Sequence, residues 1–94
     1  MYKEVLESNK VNQSPELTLK ILTYEVGKLN QIDVYIERFG KAGFIGDRRI
    51  ELSDVITQAK LYAEQLGLDP NELELEGLER FKFRVKEVAK GVQE

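Results

Sequence analysis

The chain has 94 residues, of which 41% are hydrophobic and 33% charged, and its formal net charge at pH 7 is -3. This length suits one folded domain, and the apolar fraction favours a packed core over disorder. Because an acidic balance attracts no nucleic acid phosphates, we expect no nucleic acid partner.

The chain contains neither cysteine nor histidine. This excludes disulfides, thiolate nucleophiles, serine–histidine triads and zinc sites built on thiolate or imidazole. Any metal ion must therefore be held by oxygen ligands, which favours Mg²⁺ or Mn²⁺. No apolar run approaches the roughly 20 residues that cross a bilayer, and the sequence begins without a hydrophobic signal segment, so we expect a cytoplasmic protein with no membrane partner.

Helix start and stop signals define the first half of the chain. Residues 1–13 form an N-terminal segment in which a short helix can form. A serine N-cap followed by proline predicts a helix start at Ser14, and apolar residues recur at helical spacing over 14–39. Glycines at 40–46 then predict a loop.

Two further helices follow. Asp47 is a candidate N-cap for a helix over 47–66, which Gly67 would terminate, and an Asp-Pro pair opens a third helix over 69–90. The third helix carries its own apolar stripe of Leu75, Leu78, Phe81, Val85 and Val88. Such helices bury little by themselves, so we expect an all-α single domain over 1–94, completed into a helical bundle as a homodimer or homotetramer.

Glu25 falls near the middle of the apolar arc of the first long helix, at about 100° per residue. A carboxylate buried there must be paired, protonated or bound to a cation, since an isolated buried charge is costly. Lys28, three residues on, is the nearest local partner. Two interpretations stay open: a Glu25–Lys28 ion pair without chemistry, or a cation site.

A polar strip on the second long helix contains Glu51, Asp54 and Gln58 at spacings of three and four. Apolar residues border this strip on both sides, which is not typical of a solvated face. Two carboxylates three residues apart can reach one cation. The alternative is that acids near a helix start are simply favoured by the helix macrodipole.

These acids lie in two stretches that resemble the MazG-like nucleotide pyrophosphohydrolases. ELSDVI at 51–56, followed by LYAEQLGLD at 61–69, resembles the E-x-x-D helix of that family, and YEVGKL at 24–29 resembles its E-x-x-E helix. The resemblance covers 15–84 and implies a MazG-like helical bundle. The sequence departs from the family pattern at Lys28, which stands in place of the second glutamate.

The resemblance also implies an activity. In the family, four acids hold Mg²⁺, which positions a nucleoside triphosphate and a water for cleavage between the α and β phosphates, giving a nucleoside monophosphate and pyrophosphate. Carried over, it implies Glu25, Glu51 and Asp54 as catalytic residues and ligands of Mg²⁺ or Mn²⁺. Asn30 and Asp33 lie on the same helix as Glu25 and are candidates to replace the missing oxygen ligand, although Asp33 is two turns away. Lys28 either contacts phosphate or neutralises the acids. In the latter case the chain would be a catalytically inactive helical module for oligomerisation or nucleotide binding.

Basic residues near these acids are candidate contacts for substrate phosphates. Arg48 and Arg49 follow the glycine loop, and Arg80 and Arg84 lie on the last helix. The alternative is an ordinary solvated helix surface, which is what such charges usually form. Phe44, within the loop, is expected to pack against the core.

Overall fold

The computed structural model describes residues 1–41 and 46–93. Most of the predicted glycine loop, with the core packing expected of Phe44, lies outside these residues. The described residues contain no strand, so the prediction of an all-α fold is confirmed. They form four helices: α1 Tyr2–Ser8, α2 Pro15–Phe39, α3 Arg48–Gln65 and α4 Pro70–Gln93.

The helix ends follow from local hydrogen bonds. The Ser14 hydroxyl accepts from a backbone N–H in the first turn of α2, and the Asp47 carboxylate does the same for α3 at 2.7 Å. Gly40 ends α2 in the left-handed region with φ 79°. Gly67 adopts φ 77°, and its N–H and that of Leu68 donate to carbonyls in the last turn of α3, as in a Schellman motif.

The core lies between α2 and α3, which run antiparallel. Arg48 at the start of α3 bonds Asp33 in the later part of α2, whereas the end of α3 lies beside the start of α2. The fully or nearly buried side chains include Ile32, which is 1% exposed, and Leu61 and Ala63. Because this apolar core is small, it stabilises only the helices that pack directly against it.

Polar residues join the entrance of α2 to α3. The Gln13 side-chain amide donates to the hydroxyl of fully buried Thr18 at 2.8 Å, and reaches the Gln58 carbonyl oxygen at 3.4 Å. The Gln65 side chain donates in turn to the Gln13 backbone carbonyl at 2.8 Å. These hydrogen bonds fix the position of α2 along the axis of α3, because sliding one helix along the other would break them.

The short helix α1 is held against α3 by Glu64. The Glu64 carboxylate accepts from the Lys3 backbone N–H at 2.7 Å and from the N-terminal ammonium at 3.3 Å. The Lys3 hydrogen bond lowers the pKa of Glu64 below its usual range, against the opposing effect of burial. α1 is therefore attached to α3 through a charged contact.

Among the described residues, the first turns of α4 are the part of that helix that contacts the rest of the chain. A groove between Ile56, Ala59 and Lys60 of α3 and Leu73 and Glu74 of α4 marks this contact. Every described residue from 78 to 91 is exposed, so α4 projects from the α2–α3 pair. Among the described residues, no helix combines the length and apolar character needed to cross a bilayer.

Candidate metal centre

Three acids that are distant in sequence meet at the contact between α2 and α3. Glu25, Glu51 and Asp54 each offer a carboxylate oxygen within 4.8 Å of the others. Glu25 faces α3 because it lies on the buried arc of α2, while Glu51 and Asp54 share a face of α3 at a spacing of three residues. Glu51 is buried with 8% exposure, and Asp54 is exposed at the rim. The cluster therefore extends from the helix interface to solvent.

Lys28 projects into the same cluster. Its Nζ lies 3.3 Å from Glu51 Oε1 and 3.8 Å from Glu25 Oε2. It also stands 5.1 Å from the centroid of the Tyr24 ring, within range of a cation–π interaction. The anticipated Glu25–Lys28 ion pair is thus present, but the shorter contact of Lys28 is with the other helix. Lys28 neutralises only one of the three carboxylates.

The carboxyls of Glu25 and Glu51 influence each other's protonation. A hydrogen bond that the protonated Glu25 carboxyl would donate to Glu51 raises the pKa of Glu25, and burial adds to this effect. The same hydrogen bond lowers the pKa of Glu51, as does the Lys28 ammonium. The pKa of Lys28 is raised, chiefly by its hydrogen bond to Glu51. Glu25 is therefore the carboxyl that favours the proton, and Glu51 and Lys28 remain charged.

The cluster contains oxygen atoms that the described residues do not satisfy. Oε2 of Glu25 and Oε2 of Glu51 are both buried without a hydrogen-bond donor. Buried carboxylate oxygens without donors are costly, and a shared proton or a bound cation would satisfy them. Because carboxylate oxygens are the ligands that Mg²⁺ and Mn²⁺ prefer, these donors fit a hard divalent ion.

The predicted phosphate contacts lie in two separate places. Arg48 is paired with Asp33 at 2.7 Å, and Arg49 is exposed in the first turn of α3. Arg80 and Arg84 are exposed on the projecting part of α4, which makes no contact with α2 in the described structure. Two of the four arginines thus lie within one turn of Glu51 on α3. The other two lie on the part of α4 that projects from the α2–α3 pair.

Two other sequence-based placements differ in the structure. Asp33 lies outside the carboxylate cluster, because Arg48 engages it on the exposed side of α2. Gln58 shares the predicted strip with Glu51, yet it bonds Gln13 instead of joining the acids. Sequence reasoning also missed Tyr24 beside Lys28, although their spacing of four residues on one helix was a usable signal.

No protein-family model, no curated protein and no solved structure matches this chain. The assignment of function therefore depends on the chemistry of its own residues.

Proposed function

We propose that this chain is a nucleoside triphosphate pyrophosphohydrolase of the MazG-like kind, working with Mg²⁺ or Mn²⁺ and releasing pyrophosphate and a nucleoside monophosphate. The observation that carries this proposal is the convergence of Glu25, Glu51 and Asp54 within 4.8 Å from two helices. The resemblance to the family motifs selects the same three acids.

In the proposed site, Glu25, Glu51 and Asp54 hold the divalent ion. When bound, such an ion neutralises phosphate charge and activates water for attack. The chain's own residues orient the substrate: Lys28, with its three donors on a flexible stem, suits a phosphate oxygen as a point charge. Arg48 and Arg49 lie in the first turn of α3, just before Glu51, and both stay candidate phosphate contacts. Arg48 can contact phosphate only by leaving Asp33.

The test is a screen of nucleoside triphosphates for pyrophosphate release, with and without Mg²⁺. We expect Mg²⁺-dependent release that Asp54→Ala abolishes, since Asp54 is exposed and its loss leaves the core packed. Ser53→Ala, at the neighbouring exposed position, is the matched control and should retain activity. Release that persists in Asp54→Ala, or none from any triphosphate, contradicts the proposal.

Lys28 favours a second candidate, a catalytically inactive helical module that binds nucleotide or oligomerises. Its ammonium lies 3.3 Å from Glu51 and so provides the acids with a cation already. This candidate predicts nucleotide binding at most, with no turnover and no dependence on Mg²⁺. The screen of the wild type separates the two candidates, and in Lys28→Glu the restored family acid should raise pyrophosphate release only if the rest of the site is intact.

We further propose that two or more copies of the chain associate through α4. Its exposed side chains Leu78, Phe81, Val85 and Val88 follow the three–four spacing of a helix-packing seam, and each is at least 46% exposed. Phe81→Glu should convert an oligomer into a monomer in light scattering. Phe83→Glu, on the opposite face of α4, is the control that should remain associated. A wild-type chain that stays monomeric at high concentration contradicts this assignment.

A further inference from the structure

Lys28 combines two properties that a purely structural ion pair does not need. Its ammonium lies between acids of two different helices, at 3.3 Å from Glu51 and 3.8 Å from Glu25. Its side chain is nevertheless 36% exposed, whereas those of the two acids are 11% and 14% exposed. The acids are thus fixed within the interface, and the cation reaches them from the solvent side.

A divalent ion and this ammonium would compete for the same oxygens. Hard cations bind carboxylate oxygens at roughly 2.0 to 2.6 Å. An ion at that distance from Glu51 and Glu25 would lie within a few ångströms of Lys28 Nζ, where like charges repel strongly because the surroundings are partly buried. Both cannot occupy the cluster in the present arrangement.

Lys28 has a second position available. Its stem has four rotatable carbons and rises to the surface, where the Tyr24 ring, 62% exposed, already lies 5.1 Å from the ammonium. An ammonium that leaves the acids can keep a cation–π contact with this ring and regain water. Displacement therefore costs the lysine less than it would at a closed site.

We propose that Lys28 is an internal competitor of the divalent ion: the ion enters only when the ammonium moves away from Glu51 and Glu25. This regulation rests on the proposed metal site but not on turnover. The buried Oε2 of Glu51, which lacks a donor although Oε1 contacts Lys28, independently indicates that the lysine does not satisfy the site. The lysine thus sets a threshold concentration of the divalent ion, below which the ammonium keeps its contacts with Glu51 and Glu25.

The first test is Mn²⁺ binding to the full chain by calorimetry. Lys28→Met keeps the length of the stem and removes the charge, so we expect Mn²⁺ to bind at least ten times more tightly than in the wild type. Lys20→Met, at an exposed position of the same helix, removes an equal charge and should leave the affinity within twofold. Equal or weaker binding in Lys28→Met overturns the proposal, as does binding in neither protein.

The second test observes the wild-type protein, so its outcome does not depend on how well Lys28→Met folds. Selective ¹³C labelling of lysine allows the Lys28 side-chain signal to be followed in the wild type while Mg²⁺ is added, with Lys28→Arg used only to assign it. We expect that signal to move towards the position of exposed lysines as Mg²⁺ saturates, while the Lys20 signal stays constant. A Lys28 signal that does not move overturns the proposal.

These outcomes are distinguishable from failure of the proposed function. If Lys28→Met gains Mn²⁺ affinity but no triphosphate is cleaved, the competition stands and the hydrolase assignment falls. If pyrophosphate is released while Lys28→Met and the wild type bind Mn²⁺ equally, the hydrolase stands and the competition falls.

Discussion

The α2–α3 pair and helix α4 place opposite kinds of side chains in opposite environments. Between α2 and α3, a buried glutamate, a half-buried glutamate and a lysine occupy an interface that would ordinarily be apolar. Along α4, phenylalanine, leucine and valine side chains lie in solvent. Charge is enclosed where the chain contacts itself, and apolar surface is exposed where it does not.

This contrast separates the contacts that are formed within one chain from the apolar surface that α4 leaves exposed. The polar bonds between α2 and α3 close on each other and fix one relative position of the helices. The three acids meet within one chain and need no second polypeptide to do so. α4 is different, because a projecting helix with an exposed apolar stripe gains stability only from a partner. The candidate site is thus formed within one chain, whereas the proposed association of copies depends on α4.

The largest expected effect is on the core of the α2–α3 pair. Ile32 is 1% exposed, and its Cδ1 lies close enough to Gly46 that a Cβ there would sit at 3.1 Å. Ile32→Ala should lower the free energy of unfolding by about 2 to 5 kcal/mol, since it leaves a cavity in a small core. Val34→Ala, 51% exposed on the same helix, should change it by less than about 0.5 kcal/mol. Urea denaturation measures both, and equal losses would mean that the core does not lie between α2 and α3.

The next effect concerns the enclosed charges. Without divalent ions, Lys28→Met should lower the free energy of unfolding by less than Ile32→Ala does, because it leaves Glu51 without its cation while the lysine itself is partly exposed. Lys20→Met should change the free energy of unfolding little. Mn²⁺ should restore part of the lost stability in Lys28→Met but not in Lys20→Met. Unchanged stability in Lys28→Met would show that the acids are solvated.

Helix ends could be predicted from sequence because caps are local. Ser14 and Gly67 act within one turn of their own helix, so their types and positions suffice. The burial of Glu25 could be inferred from the arc it occupies. Its approach to Glu51 could not be inferred from spacing, because it depends on how α2 and α3 pack. The resemblance to a family was needed to pair the two stretches.

Other features could not be predicted for the same reason. Gln13 lies in a polar linker, and nothing in its neighbours indicates that it joins Thr18 to α3. The stripe of α4 has the pattern of a buried face, and periodicity alone does not say whether the surface it covers belongs to the same chain. Within 1–41 and 46–93, the part of the chain that the structure describes, every side chain of this stripe is exposed.

A smaller effect, dependent on pH, is expected where α1 meets α3. Because the pKa of Glu64 is lower in the folded chain than in the unfolded one, its contribution to stability is complete above the unfolded pKa and is lost as pH falls through the folded pKa. Glu64→Gln should therefore be less stable than the wild type at pH 7, and the difference should shrink below about pH 4.5. Glu76→Gln, exposed on α4, serves as the charge-matched control. Urea denaturation from pH 7 to pH 3 tests this. A difference in the free energy of unfolding that stays constant over this range would show that the Glu64 carboxylate does not hold α1 against α3.

The smallest effect is expected on α4, and it completes the contrast with α2 and α3. Phe81 is 62% exposed and Phe83 65% exposed, so in a dilute, monomeric chain either alanine substitution should change the free energy of unfolding by less than about 0.5 kcal/mol. At high concentration the wild type should gain stability through association, by mass action. Phe81→Ala should lose that gain, while Phe83→Ala, on the opposite face, should keep it. Thermal unfolding over a hundredfold range of concentration measures the difference. If Phe81→Ala is strongly destabilised even when dilute, α4 packs against its own chain and the apolar stripe is an internal surface.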